Sequence, residues 1–288
     1  MIQKKKKSKI IEGTRLAYDA KRQMLYRKKL RSLTDRMTRE VTKKVLSLFK
    51  SNAAEEFKDE QEYLSAMDES ISSMSRILMN KLTNKWQKTF ASHSKDYAEQ
   101  MVKSELVASN KSLRRSLKSM SVDVTLTSSF IPKNIREVAK AAIAENIGLI
   151  KSIPDEYMQK ITGTVMRAIT SGGNIQLLQK TLSKYEGITE RRVKNIADDQ
   201  TRKAYNTVNQ QRMMDVGIKN FMWLHSGGGQ KPRKNHIAMN GKIFSFDDLP
   251  VIDERTGEIG IPGQAVNCGC TMKPIFQFEL EPGGQYAT

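Results

Sequence analysis

No proline or glycine occurs anywhere between Gly13 and Pro132. The tight turns of a sheet protein need residues with positive or fixed φ, so a stretch this long without either breaker predicts long helices. The apolar spacing agrees. Leu16, Leu30, Leu33, Met37, Val41, Val45 and Leu48 recur at helical intervals, and residues 4–50 read as a helix with basic faces. Leu64, Met67, Ile71, Met74 and Leu78 then alternate steps of three and four, the seam of a coiled coil or helical hairpin. A four-residue slip carries the stripe on through Leu82, Trp86 and Phe90, as a stutter would. Such a Met-rich, aromatic stripe reads as core, since Met fills irregular gaps.

Around Ser119–Asn134 the texture changes. Val122, Val124 and Leu126 alternate with polar residues before Pro132, which predicts a short strand or an extended linker and the main boundary of the chain. Helices are expected over Lys133–Ile150, over Asp155–Ser171 with a stop at Gly172-Gly173, and over Ile175–Tyr185. A longer amphipathic helix should start at Thr189 as N-cap and end at Gly217. Beyond Phe221 come glycine-rich turns and short apolar runs. The expected fold is mainly α, with long N-terminal helices, a helical region and a small C-terminal α+β unit. By chain order the divisions are a basic helical arm at 1–130, a helical part at 131–220 and a small unit with a His/Cys cluster at 221–288.

Charge divides the chain unevenly. Of the formal +18, residues 1–50 hold 17 Lys/Arg against 4 Asp/Glu, a net +13, whereas Phe221–Thr288 is close to neutral. A basic arm of this kind suits a polyanion, most simply double-stranded DNA bound without sequence reading. Lys4, Lys5, Lys6, Lys7, Lys9, Arg15, Arg27, Lys28, Lys29 and Arg31 are the candidate contacts. A solvated tail, or one that touches an acidic protein surface, is the plainer alternative. No apolar run is long enough to span a membrane, and none follows the basic N-terminus as a secretory signal would require. The two cysteines, Cys268 and Cys270, are too close for an unstrained disulfide, which favours a reducing compartment.

The sequence contains no phosphate loop, dinucleotide fingerprint, HExxH or EF-hand pattern. The C-terminal unit does concentrate metal-ligating residue types. His225 and His236 flank a glycine loop, and Cys268-Gly-Cys270 follows about thirty residues later. Thiolate and imidazole are the ligands zinc prefers, usually four in a tetrahedron, so these four residues are a candidate structural zinc set. Core packing of the cysteines and a hydrogen-bonded role for His236 are the bland reading. A nucleophilic cysteine activated by histidine is a further one.

Several C-terminal elements fall in a recognisable order. A polar helix at Asn195–Asp215 leads to the Gly217-Ile218 turn and Trp223. The loop Pro232–His236, with Arg233 and His236, is followed by a glycine turn at Gly241 and by Asn267-Cys268-Gly269-Cys270. This order resembles the phage Mu protein F-like head-morphogenesis family, over roughly residues 150–275. The motif residues are Trp223, Arg233, His236, Gly241, Asn267, Cys268 and Cys270. The chain departs from the family pattern at Gly269, where a basic residue is usual, at Ala197–Thr201, and in the glycine-rich loop after His225. The resemblance implies a minor capsid protein of a tailed phage, not an enzyme. It would reside in the virion interior or portal region, after assembly in the host cytoplasm. Its partners would be the portal protein, other head proteins and DNA. The rival readings are a small histidine-dependent hydrolase or nuclease in the C-terminal unit, and a general nucleic-acid-binding module.

Overall fold

The computed structural model describes residues 8–51, 70–121, 132–171, 174–228 and 231–279. Lys4–Lys7, Leu64, Met67, the Val122–Leu126 alternation and the Gly172-Gly173 stop lie outside the described residues.

Strand β1 (Ser8–Glu12) is followed by four long helices: α1 (Ala20–Ser51), α2 (Ile71–Ser119), α3 (Lys133–Thr170) and α4 (Ile175–Asp215). The remainder is β2 (Asn220–Leu224), the short helix α5 (Lys234–Ala238), β3 (Ile243–Ser245), β4 (Val251–Asp253), β5 (Glu258–Ile259) and β6 (Thr271–Glu279). The mainly α class with a small strand-bearing C-terminal unit is therefore as expected. Short polar side chains start the long helices by taking up the otherwise orphaned first-turn amides. Asp19 Oδ1 accepts from the Lys21 amide, Ser70 Oγ from Ser73 and Asn174 Oδ1 from Leu177.

Three helix boundaries differ from expectation. The helix anticipated from Lys4 starts only at Ala20, because Ser8–Glu12 pairs antiparallel with β6 at the far end of the chain. Pro154 does not divide the third helix, which runs unbroken through it. A mid-helix proline costs about 3 kcal/mol, yet Ile150 and Ile153 before it and Tyr157, Met158 and Ile161 after it are all buried. Packing on both sides outweighs the lost hydrogen bond. Thr189 likewise is no cap. It lies inside α4, where its hydroxyl donates to the Tyr185 carbonyl at 2.8 Å. The expected end at Gly217 is present. Gly217 has φ 79°, its amide donates to Met214 O and the Ile218 amide to Met213 O. This is a Schellman stop, with Met213 and Ile218 both fully buried beside it.

The chain forms two compact units, each drawing on segments far apart in sequence, whereas the divisions above follow chain order. The helical unit takes residues within 24–99 and 143–197. Along α1 it buries Tyr26, Leu30, Leu33, Met37, Val41, Val45 and Phe49, each worth about 1.5–3 kcal/mol if fully removed from water. Leu82, Trp86 and Phe90 of the expected stripe are buried within this same chain, whereas earlier in α2 the buried positions are Ser75 and Met79, and Ile71, Met74 and Leu78 are half-buried. Polar contacts connect the helices: Lys85 to Glu40 at 2.6 Å, Gln87 to Asp155 at 2.9 Å, and Arg192 to Glu156 at 2.7 Å.

The sheet unit takes residues within 1–23, 100–142 and 198–288. Its four strands lie in the order β1-β6-β2-β3, all antiparallel, and β4-β5 form a separate hairpin. Phe221 and Trp223 point inward from β2 and are fully buried with Leu16, Leu113, Tyr205 and Met272. Ser116 ties the entry of the chain to α2, since its hydroxyl meets both the amide and the carbonyl of Thr14.

Candidate functional site

The residues of the sequence motif converge in the sheet unit. Arg233 stands just before α5 in an extended conformation, and its guanidinium donates to the Val266 carbonyl at 3.0 Å. The Asn235 side-chain Nδ2 donates to the Val251 carbonyl at 3.2 Å. These two bonds hold α5 against the segments on either side, and a five-residue helix needs such support because one turn is not stable alone. His236 is thereby buried, with its ring edge-on to Trp223 at 5.0 Å between centroids. Gly241, at φ 77°, turns the chain so that its amide reaches the Trp223 carbonyl at 2.8 Å.

The cysteines arrive from the other side. Asn267 adopts φ 59°, a left-handed conformation that Asn tolerates better than most residues. Its amide donates to Asp199 Oδ1 on α4 at 2.6 Å, and the Cys268 amide donates to Ala265 O at 2.9 Å. Cys268 and Cys270 are buried beside His236.

The hydrogen bonding decides the imidazole tautomer. His236 Nε2 lies 2.8 Å from the Ile252 carbonyl, which can only accept, so Nε2 carries the proton. Nδ1 then presents its lone pair to Cys268 Sγ at 3.5 Å and Cys270 Sγ at 3.8 Å. The two buried thiols interact strongly. Their mutual hydrogen bond, opposed by burial and helped by His236, lowers Cys268 far below an ordinary thiol, while Cys270 is raised. Burial works against protonating His236, but its bonds to Cys268 and Ile252 outweigh this and leave its pKa raised. Burial also raises Asp199, against its bond from the Asn267 amide. These three groups can share a proton among them or hold a metal ion. At 3%, 3% and 2% exposure, His236, Cys268 and Cys270 are poorly placed to attack a bulky substrate.

His225 does not join them. It is half-buried at the end of β2, where its Nδ1 accepts from the Gly227 amide at 3.1 Å, so the expected four-residue set becomes three. The candidate DNA contacts are distributed differently from a continuous arm. Lys9 belongs to β1, and Arg15 donates to Thr271 Oγ1 at 2.8 Å. Arg27, Lys28, Lys29 and Arg31 lie on α1. Arg31 pairs with Glu190 at 2.7 Å, and Lys29 sits over the Tyr97 ring.

Two supporting residues were not evident from the sequence. Asp199 falls in a helical run where no spacing marks it as an anchor for Asn267. Asn206 is fully buried, has no protein partner for its side-chain amide group, and abuts Gly263, where a Cβ would collide with it. Only the fold brings either residue to the motif.

Residues 159–273 match the family described as Phage Mu protein F like protein, which bears out the resemblance read from the sequence over that segment. The matched segment contains every motif residue discussed above. The chain is also 34% identical over 142 residues to an "Uncharacterized protein" of Haemophilus influenzae, a match covering 49% of this chain and 30% of that protein. No solved structure matches it.

Proposed function

We propose that this chain is a minor head protein of a tailed phage, carried in the virion, which acts at the portal during head assembly and touches packaged DNA without reading its sequence. The observation that carries the reading is the Phage Mu protein F-like segment at residues 159–273. The physical features support it in two ways. Long helices with polar outer faces offer extended docking surface, and among the described residues none is long and apolar enough to cross a membrane. The net +13 of residues 1–50 suits the phosphate backbone, and Lys28, Arg36, Arg39 and Lys43 recur on the exposed side of α1.

Quantitative mass spectrometry of purified phage heads, assembled with and without the portal, tests the assignment. The polypeptide is expected in complete heads and absent from heads that lack the portal. Its absence from both would overturn the reading, and equal abundance in both would overturn the portal association. For DNA, the logarithm of the binding constant should fall linearly with the logarithm of salt concentration, irrespective of sequence. A salt-independent affinity would remove DNA from the list of partners.

A further inference from the structure

Two sulfurs converge on one nitrogen in the sheet unit. The lone pair of His236 Nδ1 can accept a single hydrogen bond, yet Cys268 Sγ and Cys270 Sγ both approach it, at 3.5 and 3.8 Å. One thiol can donate to that nitrogen and the other only to its neighbouring sulfur, so hydrogen bonding does not by itself require both sulfurs to close on the ring. A shared cation explains both. With zinc–sulfur bonds of about 2.3 Å and zinc–nitrogen bonds of about 2.0–2.1 Å, a tetrahedral edge between sulfur and nitrogen is about 3.6 Å. The two observed separations bracket that edge, and all three candidate ligand atoms lie within 4.8 Å of one another.

We propose that His236 Nδ1, Cys268 Sγ and Cys270 Sγ hold a structural zinc ion, with water at an exchangeable fourth position. Several N–H groups surround the two sulfurs. The amides of Cys270 and Gly263 are directed at Cys268, and the Ser226 amide is directed at Cys270. The indole N–H of buried Trp223 also lies toward Cys270, although it meets no acceptor with hydrogen-bond geometry. Donors arranged in this way stabilise negative sulfur. On the opposite side of the ring the Ile252 carbonyl fixes the proton on Nε2, the outer contact that orients a metal-bound histidine. Two thiolates and a divalent cation sum to zero charge, which lets the pair ionise inside the core without leaving a net charge there.

The ion would do mechanical work on the fold. It joins α5 to the approach of β6, and the chain between them consists of turns and the strands β3, β4 and β5, of three, three and two residues. So little regular structure leaves this segment dependent on a clip, and ligation free energy becomes folding free energy. The inference stands on these residues alone and does not depend on the head-protein reading.

The test uses untagged full-length protein, purified without chelator, exposed to zinc sulfate and desalted. Elemental analysis should give about one zinc per chain, retained in His225→Ala and lost in the Cys268→Ser/Cys270→Ser double variant. Because the double variant could misfold, the wild-type protein is also loaded with cobalt(II). Thiolate-to-cobalt charge-transfer absorption, together with d–d bands of tetrahedral intensity, is expected. Wild-type protein that binds no zinc overturns the proposal, as does zinc content unchanged in the double variant. A cobalt spectrum without thiolate charge transfer overturns it too.

Discussion

Glu105 lies on α2 within the sheet unit at 1% exposure, and neither carboxyl oxygen meets a protein donor. Burial raises its pKa from 4.5 to about 7; the nearby charge of Arg22 opposes this and that of Asp19 adds to it. A pKa higher in the folded state than in the unfolded state means that the folded chain holds this proton more tightly. The resulting stability is fully present below about pH 4.5 and is lost as pH rises through about 7. The gap is worth about 3 kcal/mol, a large share of the 5–15 kcal/mol by which domains are usually stable. Glu105→Gln keeps the shape of the protonated acid and cannot ionise. The two proteins should therefore unfold at similar urea concentrations at pH 4, and the variant should be the more stable at pH 8 by up to about 3 kcal/mol. Trp223 fluorescence in a Trp86→Phe background reports the sheet unit, because Trp86 belongs to the helical one. Other titrating groups cancel in the comparison between wild type and variant. Parallel stability curves for the two proteins from pH 4 to 8 would refute the assignment of a buried, proton-dependent carboxyl at this position.

Three further substitutions probe the frame around the site. Gly13→Ala would drive a Cβ into Ser116 Oγ, the group that bonds both polar atoms of Thr14, so a loss of about 1–3 kcal/mol is expected by urea unfolding. Asn267→Ala should cost about 1 kcal/mol or more through its positive φ, whereas Asn267→Gly should be nearly neutral; equal losses would show that the side chain matters and not the backbone. Asp199→Ala removes the acceptor of the Asn267 amide and should destabilise by about 1–3 kcal/mol, with partial recovery in Asp199→Asn, measured by thermal unfolding.

Much of the helical content was legible in the chain because helix formation is local. The absence of breakers from Thr14 to Ile131 and the spacing of Leu30, Leu33, Met37, Val41 and Val45 reappear as long helices with those residues buried. The Gly217 stop was legible for the same reason, since the Schellman turn involves only neighbouring residues. Local reasoning failed where packing overrode a local signal. The gap expected between Ile150 and Asp155 and the start expected at Thr189 both instead lie within helices buried on either side.

The candidate site divides along the same line. Its residue types were visible in sequence: His236, Cys268 and Cys270 stand in a chain with few histidines and cysteines, and Asn267 and Gly241 mark left-handed turns. Composition could not separate His236 from His225, because both flank the same loop. That choice depends on which imidazole the Ile252 carbonyl and the Trp223 ring bring to the sulfurs. Sequence alone thus determined the helical class, the charge asymmetry and the clustering of histidine and cysteine in the C-terminal unit, all of which follow from residue identity and short-range spacing. Tertiary structure decided that β1 completes the sheet beside β6, that Asp199 anchors Asn267, and that His236, Cys268 and Cys270 converge without His225. Those outcomes depend on contacts between segments tens to hundreds of residues apart, whose pairing is set by mutual burial and hydrogen bonding and leaves no periodic trace along the chain.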